Sequence, residues 1–163
     1  MDNSCAIFEE NDDWYEDSKQ SYERWGVPVH VQLAIIHQES RFRHDAKTEM
    51  EYFLWIIPIG RKSSAYGYAK VKDETWDWYM EDNDKHGADR ADNDDAVDFI
   101  GWYGKRSYEK LKISKWDAYN QYLAYHEGHN GYKKKTYNKK PWLIKVARKV
   151  DKRAKQYHTQ LAS

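Results

Sequence analysis

The sequence predicts a mainly α-helical fold with at most a short β-hairpin, and three observations carry that expectation. Apolar residues recur at three- and four-residue spacing in six segments, and Gly, Pro, Ser or Asp stands where each would start or stop. Strand-like alternation is nearly absent, because Val and Thr are sparse between residues 44 and 72. The 163 residues, 40% hydrophobic, suffice for one core that buries about two-thirds of the unfolded surface without a disulfide or metal staple. The expectation is a single domain spanning residues 1–163.

Asp12 or Asp13 caps a first helix that runs to Trp25, with Trp14, Tyr22 and Trp25 on one side and Gly26 as its stop. Pro28 suits a first helical position, and the next twelve residues, Val29 to Ser40, are apolar nearly all round. Such a helix is buried and central. Its last turn brings Glu39 and Ser40 out of apolar surroundings. Residues 44–72 read as loop, with a short hairpin at most around the apolar run from Tyr52 to Ile59. Helices follow from Asp73 to about Lys85 and from about Asp92, the latter with acid at its start as the helix dipole prefers. Ser114 is placed to cap a helix from Lys115 that ends at Gly128. Pro141 opens a basic C-terminal helix over about 141–161, with Leu143, Val146, Val150 and Ala154 inward.

Charge and composition exclude several classes. Lys+Arg and Asp+Glu both number 27, so a basic nucleic-acid-binding domain is not expected. That neutrality hides an asymmetry: residues 133–163 hold nine Lys and two Arg against Asp151 alone, a local charge of +10 that the rest of the chain offsets. A bipolar chain of this kind can be steered by an anionic polymer, or the Lys-rich face can simply be solvated. Mean hydropathy is −1.11, no apolar run approaches a membrane span, and the first 25 residues are too acidic to be an export signal. Cys5 is the single cysteine, which excludes an internal disulfide and a Cys-based zinc site. Aromatic residues make up 16% of the chain, with 14 Tyr and 8 Trp against 4 Phe. Their flat faces and polar tips suit a sugar-binding surface, or a core built from Tyr and Trp in place of Leu.

Among groups that could do chemistry, Glu39 stands out. Ile35 and Ile36 lie one turn back, so its carboxyl is desolvated and its pKa raised, as a general acid near neutral pH requires. The alternative is a helix-end glutamate paired with Arg41 or Arg43. His30, His37 and His44 recur at intervals of seven, and His126 and His129 are close in sequence, but no HExxH or comparable motif exists; no metal or cofactor is expected. Ser40 lacks the spacing of a nucleophile with its base. Gly67 suits a tight turn or a backbone approached closely by a ligand.

The stretch from Trp25 to Phe42, an apolar helix ending in Glu39-Ser40-Arg41, resembles the catalytic helix of the soluble lytic transglycosylase (SLT) family in the lysozyme-like superfamily. Ser63-Ser64-Ala65-Tyr66-Gly67-Tyr68-Ala69-Lys70 is similar to that family's second motif, and Ala124-Tyr125-His126-Glu127-Gly128 to its third, in the same order. This motif core covers 25–131. The resemblance implies a lysozyme-like α fold that cleaves the β-1,4 bond between N-acetylmuramic acid and N-acetylglucosamine in peptidoglycan. Glu39 would be acid and then base, and a 1,6-anhydromuramyl end would form with no water consumed. It implies that Tyr125 orients Glu39 by a hydrogen bond, that Ser40 supports it, and that Ser64, Tyr66, Gly67, Tyr68, Lys70 and His126 meet the substrate. Lys70 stands where the family has Gln, Tyr68-Ala69 where it has Leu-Met, and His126 where it has Asn. Lys70 would either reach a stem-peptide carboxylate or lower the pKa of Glu39. Two alternatives on the same fold are a lysozyme-like muramidase and a non-catalytic peptidoglycan-binding envelope protein. The partner implied is the glycan strand, with no nucleic acid and no transmembrane segment, acted on by a monomer in the bacterial periplasm or envelope. The missing export signal would then mean a trimmed secreted protein or a lipoprotein.

Overall fold

The computed structural model describes residues 13–42, 50–53, 57–61 and 64–162. Helix α1 spans Asp13–Trp25, α2 Val29–Ser40, α3 Asp73–Asn83, α4 Asn93–Leu111, α5 Ala118–Lys133 and α6 Pro141–Ala162. Strands β1 (Met50–Phe53) and β2 (Ile57–Arg61) pair antiparallel as a hairpin, with Phe53 opposite Ile57. A 3-10 turn, Thr136–Lys139, joins α5 to α6. The expected mainly helical class with one short hairpin is what the chain adopts.

Helix α2 sits at the centre because nearly every side chain from His30 to His37 is apolar or internally satisfied. The amide nitrogen of buried Gln32 donates to the carbonyls of Ser18 (3.2 Å) and Val27 (2.8 Å), so both of its N–H groups are used in the core, while among the described residues its Oε1 meets no donor. The helix ends because Arg41 turns left-handed (φ 52°, ψ 35°), and its N–H donates back to the His37 carbonyl. Helix α1 lies along α4, α2 against α6, and α5 against both α4 and α6. The α1–α4 approach is close because Gly101 has no side chain: a Cβ there would lie 2.3 Å from Ser21 Oγ, which donates to the Val97 carbonyl at 2.7 Å.

One apolar cluster takes residues from all six helices, including Trp14, Leu33, Ile36, Tyr79, Phe99, Trp102, Leu123, Leu143 and Tyr157. Each such side chain contributes about 1.5–3 kcal/mol on full burial. Trp76, Tyr79, Phe99, Trp102 and Tyr103 form a continuous set of ring contacts with centroids 4.9 to 6.2 Å apart. Much of the aromatic excess is therefore core. Buried Asp98 locks α1, α3 and α4 together. It accepts from Tyr79 Oη (2.6 Å), Trp25 Nε1 (2.8 Å), Lys85 Nζ (3.2 Å) and Arg24 Nη1 (3.3 Å). These four donors compensate the water that the carboxylate gives up on burial.

Three local expectations are corrected. Helix α5 begins at Ala118 under an Asp117 cap, whose carboxylate accepts from the Asn120 N–H; Ser114 instead accepts from the Trp116 N–H in the preceding turn. A carboxylate three residues before a free N–H outcompetes the earlier hydroxyl. Gly128 does not end α5. It breaks the helix at φ 79°, ψ 164°, and helical geometry resumes to Lys133. Trp116 and Trp142, which a core built from Tyr and Trp would place inside, are 54% and 55% exposed. Trp116 lies outside any helix, and Trp142 sits on the solvent side of the first turn of α6. Trp55 falls outside the described residues.

Candidate active site

The end of α2 opens into a cavity of about 450 Å³, and Glu39 lines it together with Lys70, Tyr103, Tyr125, His126 and Glu127. Helix α2 supplies the acid, the turn after residue 64 supplies Lys70, and α5 supplies the opposite wall. Phe99 and Val71 add apolar lining, and Ala65, Lys72, Thr75 and Gly128 complete it.

Burial governs Glu39. Loss of water pushes its carboxyl up to about 7, while the Lys70 ammonium and a hydrogen bond from the Tyr122 hydroxyl pull it back down. A half-protonated carboxyl near neutral pH can both give and take a proton. Tyr122 is itself held protonated well above the usual phenol range, by burial first and then by the Glu39 charge. It therefore remains a donor throughout that range. The neighbouring pairings expected for a helix-end glutamate do not apply to Arg41, which lines a different cavity with His37 and Gln38; Arg43 lies outside the described residues.

The expected site residues divide sharply. Glu39, Lys70, Tyr125 and His126 come together at the cavity. The hydrogen bond expected from Tyr125 to Glu39 is made by Tyr122 instead. Tyr125 Oη donates to the Ala69 carbonyl at 2.5 Å, fastening α5 to the motif loop beneath Lys70. Burial and the Glu39 charge hold that phenol protonated too. Ser40 is buried and donates to the Ile36 carbonyl one turn back (3.1 Å), so its hydroxyl serves the helix end and does not line the cavity. Ser64 Oγ accepts from the Asp73 N–H (3.0 Å) and starts α3.

Gly67 is a backbone necessity. Its φ is 84°, and a Cβ would lie 2.2 Å from the Arg90 carbonyl oxygen, so the close approach is by the chain itself. The turn it makes closes Tyr66 against Val71 through two 3.1 Å bonds and leaves Lys70 left-handed (φ 49°) on the cavity wall. Tyr66 lies under the Arg90 guanidinium, 5.3 Å from its ring centre, beside a second, shallower hollow with Trp76 and His86. Tyr68 packs its ring edge-on against Trp14 at 4.8 Å, in the core.

Glu127 sits on the same wall with only 3% of its side chain exposed. Its Oε1 accepts from Thr136 Oγ1 (2.7 Å), and its Oε2 from Lys140 Nζ (2.9 Å) and, at 3.0 Å, faces His126 Nδ1. Burial alone would raise its pKa; these partners outweigh it and hold the carboxylate below the usual range. Tyr122, Tyr103 and Phe99 were not singled out from sequence. Tyr122 stands one turn before Tyr125 on the same helix, and that three-residue spacing is the signal that could have marked it.

A central buried helix delivers one desolvated glutamate to a cleft walled by a second helix, in a mainly helical lysozyme-like fold. The model of the transglycosylase SLT domain matches residues 1–163, and the chain belongs to that family, whose members act on peptidoglycan as lytic transglycosylases. No curated protein and no solved structure matches the chain. Among the described residues, no helix is long and apolar enough to cross a membrane.

Proposed function

We propose that this chain is a peptidoglycan lytic transglycosylase in which Glu39 acts as acid and then as base. It would work in the bacterial envelope, as one lysozyme-like domain over 1–163 with its motif core at 25–131. The observation that carries the reading is the Glu39 carboxyl, pushed up to about 7 at the cavity and served by a phenol donor. In the protonated form Glu39 gives its proton to the glycosidic oxygen as the bond from the muramyl C1 breaks. The oxygen of the muramyl acetamido group closes on C1 and carries the positive charge. The ionised Glu39 then takes the proton of the C6 hydroxyl as that oxygen attacks C1 and releases the acetamido oxygen. The glutamate ends as it began, and the product is an anhydro end.

The Tyr122 hydrogen bond and the Lys70 charge favour the anion formed midway, which supports the same group serving in both directions. A hydrolase would need a second carboxylate free to activate water. Among the described cavity-lining residues the other carboxylate is Glu127, and both of its oxygens are already engaged. Mass analysis of products from purified peptidoglycan tests the proposal. The wild type should yield anhydromuramyl ends, lighter by one water than hydrolysed ends, and Glu39→Gln should yield neither. Reducing muramic acid from the wild type would transfer the assignment to a muramidase. Walls left intact by the wild type would support a binding role without catalysis.

A further inference from the structure

On the far side of α2 from Glu39 lies another cavity of about 520 Å³, and half of its described lining residues are Lys or Arg. Arg41 closes it at the end of α2, Lys149, Lys152 and Arg153 face it from α6, and His37 and Gln38 form its floor. Among the described residues no carboxylate lines it. Several cations elsewhere are paired: Arg24 and Lys85 with Asp98, Arg90 with Asp73, Arg106 with Asp82, Lys140 with Glu127 and Lys155 with Asp151. Arg41, Lys149 and Lys152 have no carboxylate within ion-pair reach among the described residues. Cations converging on one concavity from two helices repel each other unless an anion joins them.

We propose that this groove binds a linear polyanion whose charges are phosphodiesters, such as a polyol-phosphate strand. Lys149 and Lys152 repeat along one face of α6, so a ligand with repeating charge engages both where a single carboxylate engages one. Arg41 adds a planar donor fork suited to phosphate oxygens. A membrane surface is disfavoured because Val146, half-buried, is the one apolar residue among the described lining residues. Single-stranded nucleic acid is disfavoured because those described lining residues include no Trp, Tyr or Phe for bases to stack on. The groove is separate from the cleft, so polyanion binding does not depend on the transglycosylase reading.

Isothermal titration of the whole chain with a glycerol-phosphate oligomer tests the site. Wild type and Glu39→Gln should bind alike, with affinity falling as salt rises, because bound cations release counterions. The triple variant Arg41→Gln/Lys149→Gln/Lys152→Gln should bind at least about tenfold more weakly and with a shallower salt slope. A charge-matched control, Lys133→Gln/Lys134→Gln/Lys139→Gln, should lose less than about threefold. Equal loss in the two triples would reduce the effect to general charge and overturn the site, as would no binding by the wild type. Phosphatidylglycerol vesicles or oligothymidylate bound as tightly as the oligomer, and released by the groove substitutions, would overturn the ligand class. If the triple variant does not fold, the exposed single Lys152→Glu reports the same difference.

Discussion

Replace Glu39 by glutamine, and two effects of opposite value should appear together: loss of wall lysis and a gain in fold stability. An unfolded glutamate ionises near the ordinary carboxyl value of 4.5, whereas burial lifts it to about 7 in the fold. Between those values the folded chain holds a proton that the unfolded chain releases. Stability therefore falls as pH rises through this window and is fully reduced above it. The gap of 2.5 units corresponds to about 3 kcal/mol. Water in the cleft reduces that, so about 1–3 kcal/mol is expected. At about 2–4 °C per kcal/mol for a chain of this size, Glu39→Gln should melt several degrees above the wild type near pH 8. The difference should shrink on acidification and vanish below about pH 4.5, where both chains carry a neutral group at 39. Thermal melts of the two proteins across the pH range provide the check. A variant no more stable than the wild type at pH 8, or a difference indifferent to pH, would refute the claim that this carboxyl is desolvated.

Tyr122→Phe removes a donor to the Glu39 anion, so the alkaline limb of lysis against pH should move up by about one unit, given about 1.5–3 kcal/mol for a hydrogen bond to a charged group and some replacement by water; a limb that stays or moves down contradicts the contact. Gly67→Ala should destabilise by more than about 1 kcal/mol, since positive φ and the Arg90 carbonyl both oppose a Cβ, and chemical denaturation measures it. Asp98→Ala takes the acceptor from the buried Tyr79 hydroxyl and the part-buried Trp25 indole, and leaves the more exposed Lys85 and Arg24 without their partner; it should cost about 3–5 kcal/mol or prevent folding. Glu127 is held below the usual carboxylate range, so its clasp on Thr136 and Lys140 should weaken as pH falls. Glu127→Gln should therefore lose most of its stability deficit in acid, as melts at two pH values would show.

Much of this architecture is legible in the sequence because local rules and tertiary packing agree there. Pro28, the apolar run after it and a polar end at Glu39-Ser40 dictate a buried helix delivering an acid, and α2 is that helix. The hairpin around Tyr52–Ile59 likewise needs only local pattern. What is not legible depends on partners far along the chain. Gly67 reads as either a tight turn or a close approach by a ligand, and the structure shows the turn, with Arg90, 23 positions on, occupying the space beside it. Tyr68 belongs to a motif yet packs on Trp14, and Ser40 bonds its own helix. Tyr122 and Tyr125 share a helix face, and which of them meets Glu39 depends on where Ala69 brings its carbonyl. Trp142 has the composition of a core residue, but its position in the first turn of α6 leaves it outside.

The glycine break in α5 makes one cleft wall depend on torsion alone. A Cβ at 128 would meet nothing within 4 Å, so a side chain there finds room but not an easy backbone. The path of least strain is for the helix to run straight through, which turns every later residue of α5 about its axis. His129 would then leave Ser107 (3.0 Å) and unstack from Tyr103, whose ring it covers at 4.4 Å. Tyr103 lines the cavity that holds Glu39. One missing methyl group on the cavity wall thus sets the shape of that wall through torsion, and selection on that shape would act on backbone freedom at Gly128 as well as on the side chains beside Glu39.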